Sequence, residues 1–187
     1  MSTITGHTGL TALLGSPVAH SISPLMHNEA FRLLELDYVY LCFDVNEETL
    51  PAAVAGLSFN LTMPNKNKIV ELLDELSPEA QLIGAVNTVL NDNGKLIGYN
   101  TDGYGFMQSV RDAGHDVTNK NITVMGVGGA SMAICAQSAL DGASSVHIFA
   151  RRTSRYWNRT QKFAENLTAK TGCQVCLFDN DDHTALK

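Results

Sequence analysis

Four short segments carry polar groups at strand ends and helix starts, where simple packing has little use for them. SISP sets Ser21 and Ser23 in a loop ahead of a helix, and NLTMPNK sets Thr62 and Lys66 at a strand end and a helix start. VNT and NTDG set Asn87, Thr88, Thr101 and Asp102 at strand ends. In open α/β sheets ligands collect outside the carboxyl ends of the strands, which is where these positions fall. Hydroxyls, an amide, one lysine and one aspartate suit the reading of a small polyhydroxylated acid. Bulky stacking aromatics are missing from the set. Each residue also has a plainer use. Ser23 could cap the helix that Pro24 opens, Asp102 could cap the helix it begins, and Lys66 could be a solvated first-turn lysine like Lys68. Residue types alone leave these alternatives open and name no reaction.

A second constellation suits phosphate. The apolar run ITVMGV leads into Gly126-Val127-Gly128-Gly129-Ala130-Ser131 and then a helix. Glycines there let the backbone turn tightly and approach a pyrophosphate, whose charge the helix amides and dipole stabilise. Ser131 stands where the strict pattern has a third glycine, so the match is imperfect, although Gly128-Gly129-Ala130-Ser131 and then Ala133 keep the small residues that helix–strand packing requires. The next strand, SVHIFA, is followed by Arg151-Arg152-Thr153-Ser154-Arg155. A site built for NAD usually places an acid there for the ribose hydroxyls. Guanidiniums and hydroxyls suit the 2′-phosphate of NADP instead, since arginine grips phosphate in a fork. The alternative is a solvated basic helix start, a placement that opposes the helix dipole.

The elements that must hold these groups alternate along the chain. Leu10 to Leu14 reads as a strand ending at Gly15-Ser16-Pro17, and Pro24 opens a helix with Met26, Ala30, Leu33 and Leu34 on one face. Tyr38 to Val45 is a second strand, Glu47 to Gly56 a second helix and SFNLTM a short strand. Pro64 begins a third helix with Ile69, Leu72, Leu73 and Leu76 as its buried stripe. Ser77-Pro78-Glu79 caps a short helix, and VNTVL-NDNG-KLIGYN reads as strand, turn and strand. Asp102 starts a helix that runs to Ala113 and ends at Gly114. Beyond Asn119 come successive βαβ units through CQVCLFD. The fold class is therefore α/β in two domains with mainly parallel sheets. The division falls near residue 103, giving a substrate-binding domain over 1–103 and a Rossmann-like cofactor domain over 104–187.

Composition excludes several functions. Over 187 residues, 44% are hydrophobic and 17% charged, as in a globular protein with a real core. A formal charge of -6 without a broad basic patch argues against nucleic-acid and anionic-membrane partners. Arg151, Arg152 and Arg155 are too local for a nucleic-acid backbone and suit a single phosphate. No apolar run approaches bilayer length, and Met1 to Gly6 lacks the features of a signal peptide. Cys42, Cys135, Cys173 and Cys176 show no paired framework. The lone C-x-x-C at Cys173 and Cys176 lacks the second pair a structural zinc needs, so both read as small residues of a strand. No metal and a reducing cytoplasm are the expectations.

The strings GSPVAHSISPLMHNEAF, FNLTMPNK, GAVNTV, GYNTDGYGF and GVGGASMAI follow one another between Leu14 and Ile134. In content and order they resemble the shikimate and quinate/shikimate dehydrogenases. The resemblance implies NADP-linked interconversion of shikimate and 3-dehydroshikimate in aromatic biosynthesis. By motif, Lys66 and Asp102 would be the catalytic pair, Lys66 passing the proton of the oxidised oxygen and Asp102 orienting it. Ser21 and Ser23 would bind the substrate carboxylate, and Thr62 and Asn87 the ring hydroxyls. Gly126, Gly128, Gly129 and Ala130 would cradle the pyrophosphate, with Arg151, Arg152 and Arg155 on the 2′-phosphate. Pairing into homodimers is also implied, though no sequence feature fixes it.

Two departures from the family stand out. The stretch between Gly56 and Phe59 is shorter than usual, and the chain stops at Lys187, inside the expected cofactor domain. The expectation is a carboxyl-terminal truncation with an incomplete sheet and doubtful turnover of its own. The competing readings are a quinate/shikimate dehydrogenase that uses NAD, a non-catalytic shikimate sensor, and an inactive fragment.

Overall fold

A computed structural model describes residues 4–54 and 58–182 of the chain. The segment between Gly56 and Phe59, for which a shortening is expected, lies largely outside the described residues. Two compact units emerge: Met1–Ala80 with Gly84–Tyr99, and Gln81–Ile83 with Asn100–Lys187. Their sheets are α/β, as the alternating pattern predicts.

The first unit is built on β1 (Gly9–Gly15), β2 (Tyr38–Asp44), β3 (Phe59–Leu61), β4 (Glu75–Leu76), β5 (Thr88–Asp92) and β6 (Lys95–Tyr99). They form one sheet in the order β2-β1-β3-β5-β6-β4. β1 runs parallel to β2 and β3, and β4 parallel to β6, while β5 runs antiparallel to both its neighbours. β1 reads as a nearly continuous apolar run because both its faces are covered. Ala12 and Leu14 join Leu50, Phe59, Ile69 and Val86 in one core cluster, and Leu13 joins Val18 and Tyr40 in another.

The helices of this unit depart from the sequence pattern in three places. α1 (Ser23–Leu33) forms where predicted, but Met26, Leu33 and Leu34 are exposed, Leu33 by 66%. The face that packs is the one carrying His27, Asn28 and Phe31. His27 stacks on Tyr40 at 4.2 Å between centroids, and Phe31 meets Tyr38 at 5.6 Å. Helical spacing places residues on a common face but does not say which of two apolar faces is covered. α2 is only Leu50–Ala53, within the predicted span whose end at Gly56 lies outside the described residues. The predicted third helix is α3 (Asn65–Lys68) followed by a 3₁₀ turn over Ile69–Leu72. Leu73 is extended and Leu76 belongs to β4, so the supposed stripe is divided between the 3₁₀ turn, the link after it and β4. α4 (Pro78–Ile83) starts as predicted, the Ser77 hydroxyl accepting from the Ala80 amide at 3.2 Å.

The second unit opens with α5 (Asp102–Asp112). β7 (Asn121–Met125), β8 (Ser145–Ala150) and β9 (Gln174–Asp179) then alternate with α6 (Gly129–Leu140) and α7 (Trp157–Thr171). The three strands are parallel in the order β7-β8-β9. The core lies between α6, through Met132, Ala133, Cys135 and Ala136, and β8, through Val146 and Ile148, with Phe163 and Leu167 of α7 also buried. Burial pushes the Cys135 thiol up to about 12, so it stays protonated and acts as a small apolar residue. Cys176 lies within β9 and Cys173 just before it, as the strand reading expects. Among the described residues no helix is long and apolar enough to cross a membrane.

Candidate functional site

The end of the first sheet is assembled by hydrogen bonds between the segments that leave it. Past β1 and β3, the Ser16 amide donates to Met63 O at 3.1 Å and the Thr62 amide to Leu14 O at 3.1 Å. The two exit loops are thus sewn edge to edge. Gly15 is required here, because a Cβ at this position would collide with the Thr62 methyl group. Val45, which follows β2, donates its amide to Gly15 O at 2.9 Å and accepts from the Asn65 side chain at 2.6 Å. Asn65 is fully buried and starts α3, so it anchors the turn that carries Lys66. The Lys66 carbonyl accepts from the Val86 amide at 2.8 Å.

Ser21, Ser23, Thr62, Lys66 and Asn87 all fall at this end of the sheet. Asn87 lies at the amino end of β5, not the carboxyl end. Because β5 runs antiparallel, its beginning meets the end of β3, where the Leu61 amide donates to Asn87 O at 2.8 Å. Ser23 is the first residue of α1 and Ile22 holds the cap position, so the capping alternative for Ser23 does not hold. The Ser21 hydroxyl accepts from the Ser23 amide at 3.2 Å, which couples the two serines. Thr101 likewise holds the cap position of α5, with Asp102 in the first turn. Asp102 belongs to the second unit and is not placed by the sheet that places the other five.

Sequence reasoning missed a polar chain behind Asn87. The Tyr40 hydroxyl donates to Asn60 Oδ1 at 2.9 Å, and Asn60 Nδ2 donates to Thr88 Oγ1 at 3.0 Å. The Thr88 hydroxyl in turn donates to Asn87 Oδ1 at 3.0 Å. No motif marks Tyr40. Its role follows from cross-strand register, which no local pattern in the sequence signals.

In the second unit the glycine turn follows β7 and the arginine loop follows β8, side by side at the carboxyl ends of paired parallel strands. Gly126 has φ +104, a conformation side chains resist, and its amide donates to Phe149 O at 2.8 Å. Gly128 caps α6, and Cβ atoms at Gly128 and Gly129 would meet nothing within 4 Å. The open space ahead of a helix amino end fits the approach of a diphosphate. Arg151, Arg152 and Arg155 lie on the adjacent loop, Arg151 and Arg152 both exposed. Two of the three rest on rings that sequence reasoning passed over. Arg152 lies 5.4 Å above the Trp157 ring, and Arg155 lies 4.7 Å from the Tyr156 centroid while donating to its hydroxyl at 2.6 Å. The neighbouring strand also delivers an acid that no local motif shows. Asp179 ends β9 opposite Ala150, and its carboxylate accepts from the Arg152 amide at 3.1 Å and the Asp181 amide at 3.2 Å. With one oxygen on each amide, Asp179 staples the arginine loop.

A mixed six-stranded sheet with a polar end, followed in sequence by a parallel three-stranded sheet with a glycine turn and an arginine loop, defines a two-unit α/β chain. The shikimate dehydrogenase substrate binding domain matches residues 13–89. The NADP(+) shikimate dehydrogenase of Listeria innocua is 49% identical over 190 residues, covering 98% of this chain, and the chain spans 65% of that relative's length. The structure of shikimate 5-dehydrogenase from Listeria monocytogenes with shikimate and NAD superposes at a TM-score of 0.95 with 48% identity, covering 100% of this chain and 66% of that one. The Thermus thermophilus enzyme in complex with NADP(H) and shikimate superposes at 0.73 with 33% identity, covering 92% of this chain and 68% of that one. The chain belongs to the shikimate dehydrogenase family.

Proposed function

We propose that the chain is the substrate-binding domain and the first part of the cofactor domain of an NADP-linked shikimate dehydrogenase, interconverting shikimate and 3-dehydroshikimate. Residues 1–103 take the substrate role and 104–187 the cofactor role. The observation that carries the reading is the convergence of Ser21, Ser23, Thr62, Lys66 and Asn87 on one end of one sheet, in a chain similar to enzymes solved with shikimate bound. Paired serine hydroxyls suit a carboxylate, and Thr62 and Asn87 suit hydroxyls on a ring.

Lys66 is the group that hydrogen-bonds the reacting oxygen and moves its proton, with Asp102 as its orienting partner. The buried Asn65 anchor limits the wandering of the turn on which Lys66 sits. Bound NADP supplies hydride acceptance from the carbon that bears this oxygen. Gly126, Gly128, Gly129 and Ala130 would hold its diphosphate and Arg151, Arg152 and Arg155 its 2′-phosphate, which the open helix end and the guanidiniums of the loop fit. One observation favours a second reading, use of NAD: the Listeria monocytogenes relative was solved with NAD.

The test is nicotinamide reduction with shikimate and either NADP or NAD, followed by absorbance. Turnover favouring NADP supports the reading, and turnover favouring NAD moves the chain to the second one. Shikimate binding without any turnover would leave a binding protein. A cytoplasmic homodimer completes the proposal, and sedimentation of the purified protein checks the pairing.

A further inference from the structure

The sense of every hydrogen bond behind Asn87 is fixed by one atom that can only accept. Asn60 Nδ2 lies 3.4 Å from the main-chain oxygen of Asn87, as well as 3.0 Å from Thr88 Oγ1. Turning the Asn60 amide over would set oxygen against oxygen, so its nitrogen faces this way and its oxygen faces Tyr40. The Thr88 oxygen therefore receives a hydrogen from Asn60 and has its own hydrogen to give. Asn87 Oδ1, 3.0 Å away, takes it. Were the Asn87 amide reversed, the Thr88 hydrogen would lose this acceptor inside a part-buried cluster. At the far end Tyr40 is only 1% exposed and immobilised. Asn28 bonds both its main-chain groups, at 2.9 and 2.8 Å, and His27 stacks on its ring.

We infer that Thr88 and Tyr40 are positioning residues whose directed hydrogen bonds hold the Asn87 amide with its oxygen inward, so that it meets the substrate as a donor through Nδ2. The site thus reads an acceptor lone pair at this point, as a hydroxyl or carboxylate oxygen offers. The inference rests on the reading of Asn87 as a shikimate contact and adds what sets that contact's polarity. Tyr40 and Thr88 need not touch the ligand.

Calorimetric titration of the protein with shikimate, and separately with 2′,5′-ADP, tests this. Thr88→Val keeps the shape and removes the hydroxyl, Thr88→Ser keeps the hydroxyl, and Tyr40→Phe removes only the far end of the chain. The expected result is about a tenfold loss of shikimate affinity in Thr88→Val, near-complete rescue in Thr88→Ser, and a smaller loss in Tyr40→Phe. Affinity for 2′,5′-ADP should not change, which separates lost positioning from general loosening. Unchanged shikimate affinity in Thr88→Val overturns the positioning role and leaves the functional reading standing. No shikimate binding by the unsubstituted protein overturns the functional reading and this inference with it. If Thr88→Val does not fold, Tyr40→Phe decides: no loss there overturns the inference.

Discussion

The Asn65 side chain donates to the carbonyl oxygen of Val45 across 2.6 Å and fastens the start of α3 to the residue that follows β2. Val45 is itself bonded to the end of β1, so one buried amide holds three chain segments beside Lys66. Asn65 Oδ1, by contrast, is buried with no hydrogen-bond partner among the described residues. Replacing Asn65 with Ala strands the Val45 carbonyl and opens a void. The expected cost is about 2 kcal/mol, seen as a melting temperature lower by about 4–8 °C. A melting curve matching the unsubstituted protein would dismiss Asn65 as an anchor.

If the proposed reaction holds, Lys66→Ala should reduce shikimate turnover by about 10²- to 10⁴-fold, with little change in shikimate affinity. Steady-state kinetics with NADP in excess measures both quantities. Near-normal turnover would remove Lys66 from the proton transfer.

Selectivity between nucleotides should reside in the arginine loop. Arg152→Ala is expected to weaken NADP about tenfold or more and to leave NAD nearly unchanged. Trp157→Leu should repeat this more mildly, about two- to fivefold, because it removes the ring beneath the guanidinium and not the guanidinium itself. Michaelis constants for the two cofactors give the ratio directly, and equal losses for both would refute the assignment.

Burial pushes the Tyr40 phenol up to about 12, so the fold favours its neutral form. A folded pKa above the ordinary value of about 10 means that this stabilisation is complete below pH 10. It is lost as pH rises towards 12. In an alkaline titration monitored by phenolate absorbance, one of the five tyrosines should ionise late, together with unfolding. Tyr40→Phe should abolish that last step, and its persistence would show that another tyrosine is responsible.

Much of the scaffold is legible in the residue pattern alone. Apart from β4, the strands announce themselves as apolar runs, and the glycine turn and arginine loop lie where a βαβ reading puts them. What the pattern misplaces is governed by effects that act between elements. Met26, Leu33 and Leu34 share a helical face with the right spacing, yet α1 rests on β2 through His27, Asn28 and Phe31. Leu72, Leu73 and Leu76 also suit a helix, but Leu73 is extended and Leu76 pairs beside Gly98 in β4. The five polar residues at the end of the first sheet are legible because each sits at a strand or helix boundary. Tyr40, Thr88 as a donor, and Asp179 are not, since their roles depend on cross-strand register.

The chain of donors from Tyr40 to Asn87 also constrains how these positions can change. Tyr40, Asn60 and Thr88 act on Asn87 through one linked set of hydrogen bonds, so removing one hydroxyl leaves less for a second removal to disturb. The losses from Tyr40→Phe and Thr88→Val should therefore combine to less than their sum in a double-mutant cycle. A change at Asn87 is most accessible through paired substitutions, because a lone change there inherits a Thr88 hydrogen that still needs an acceptor.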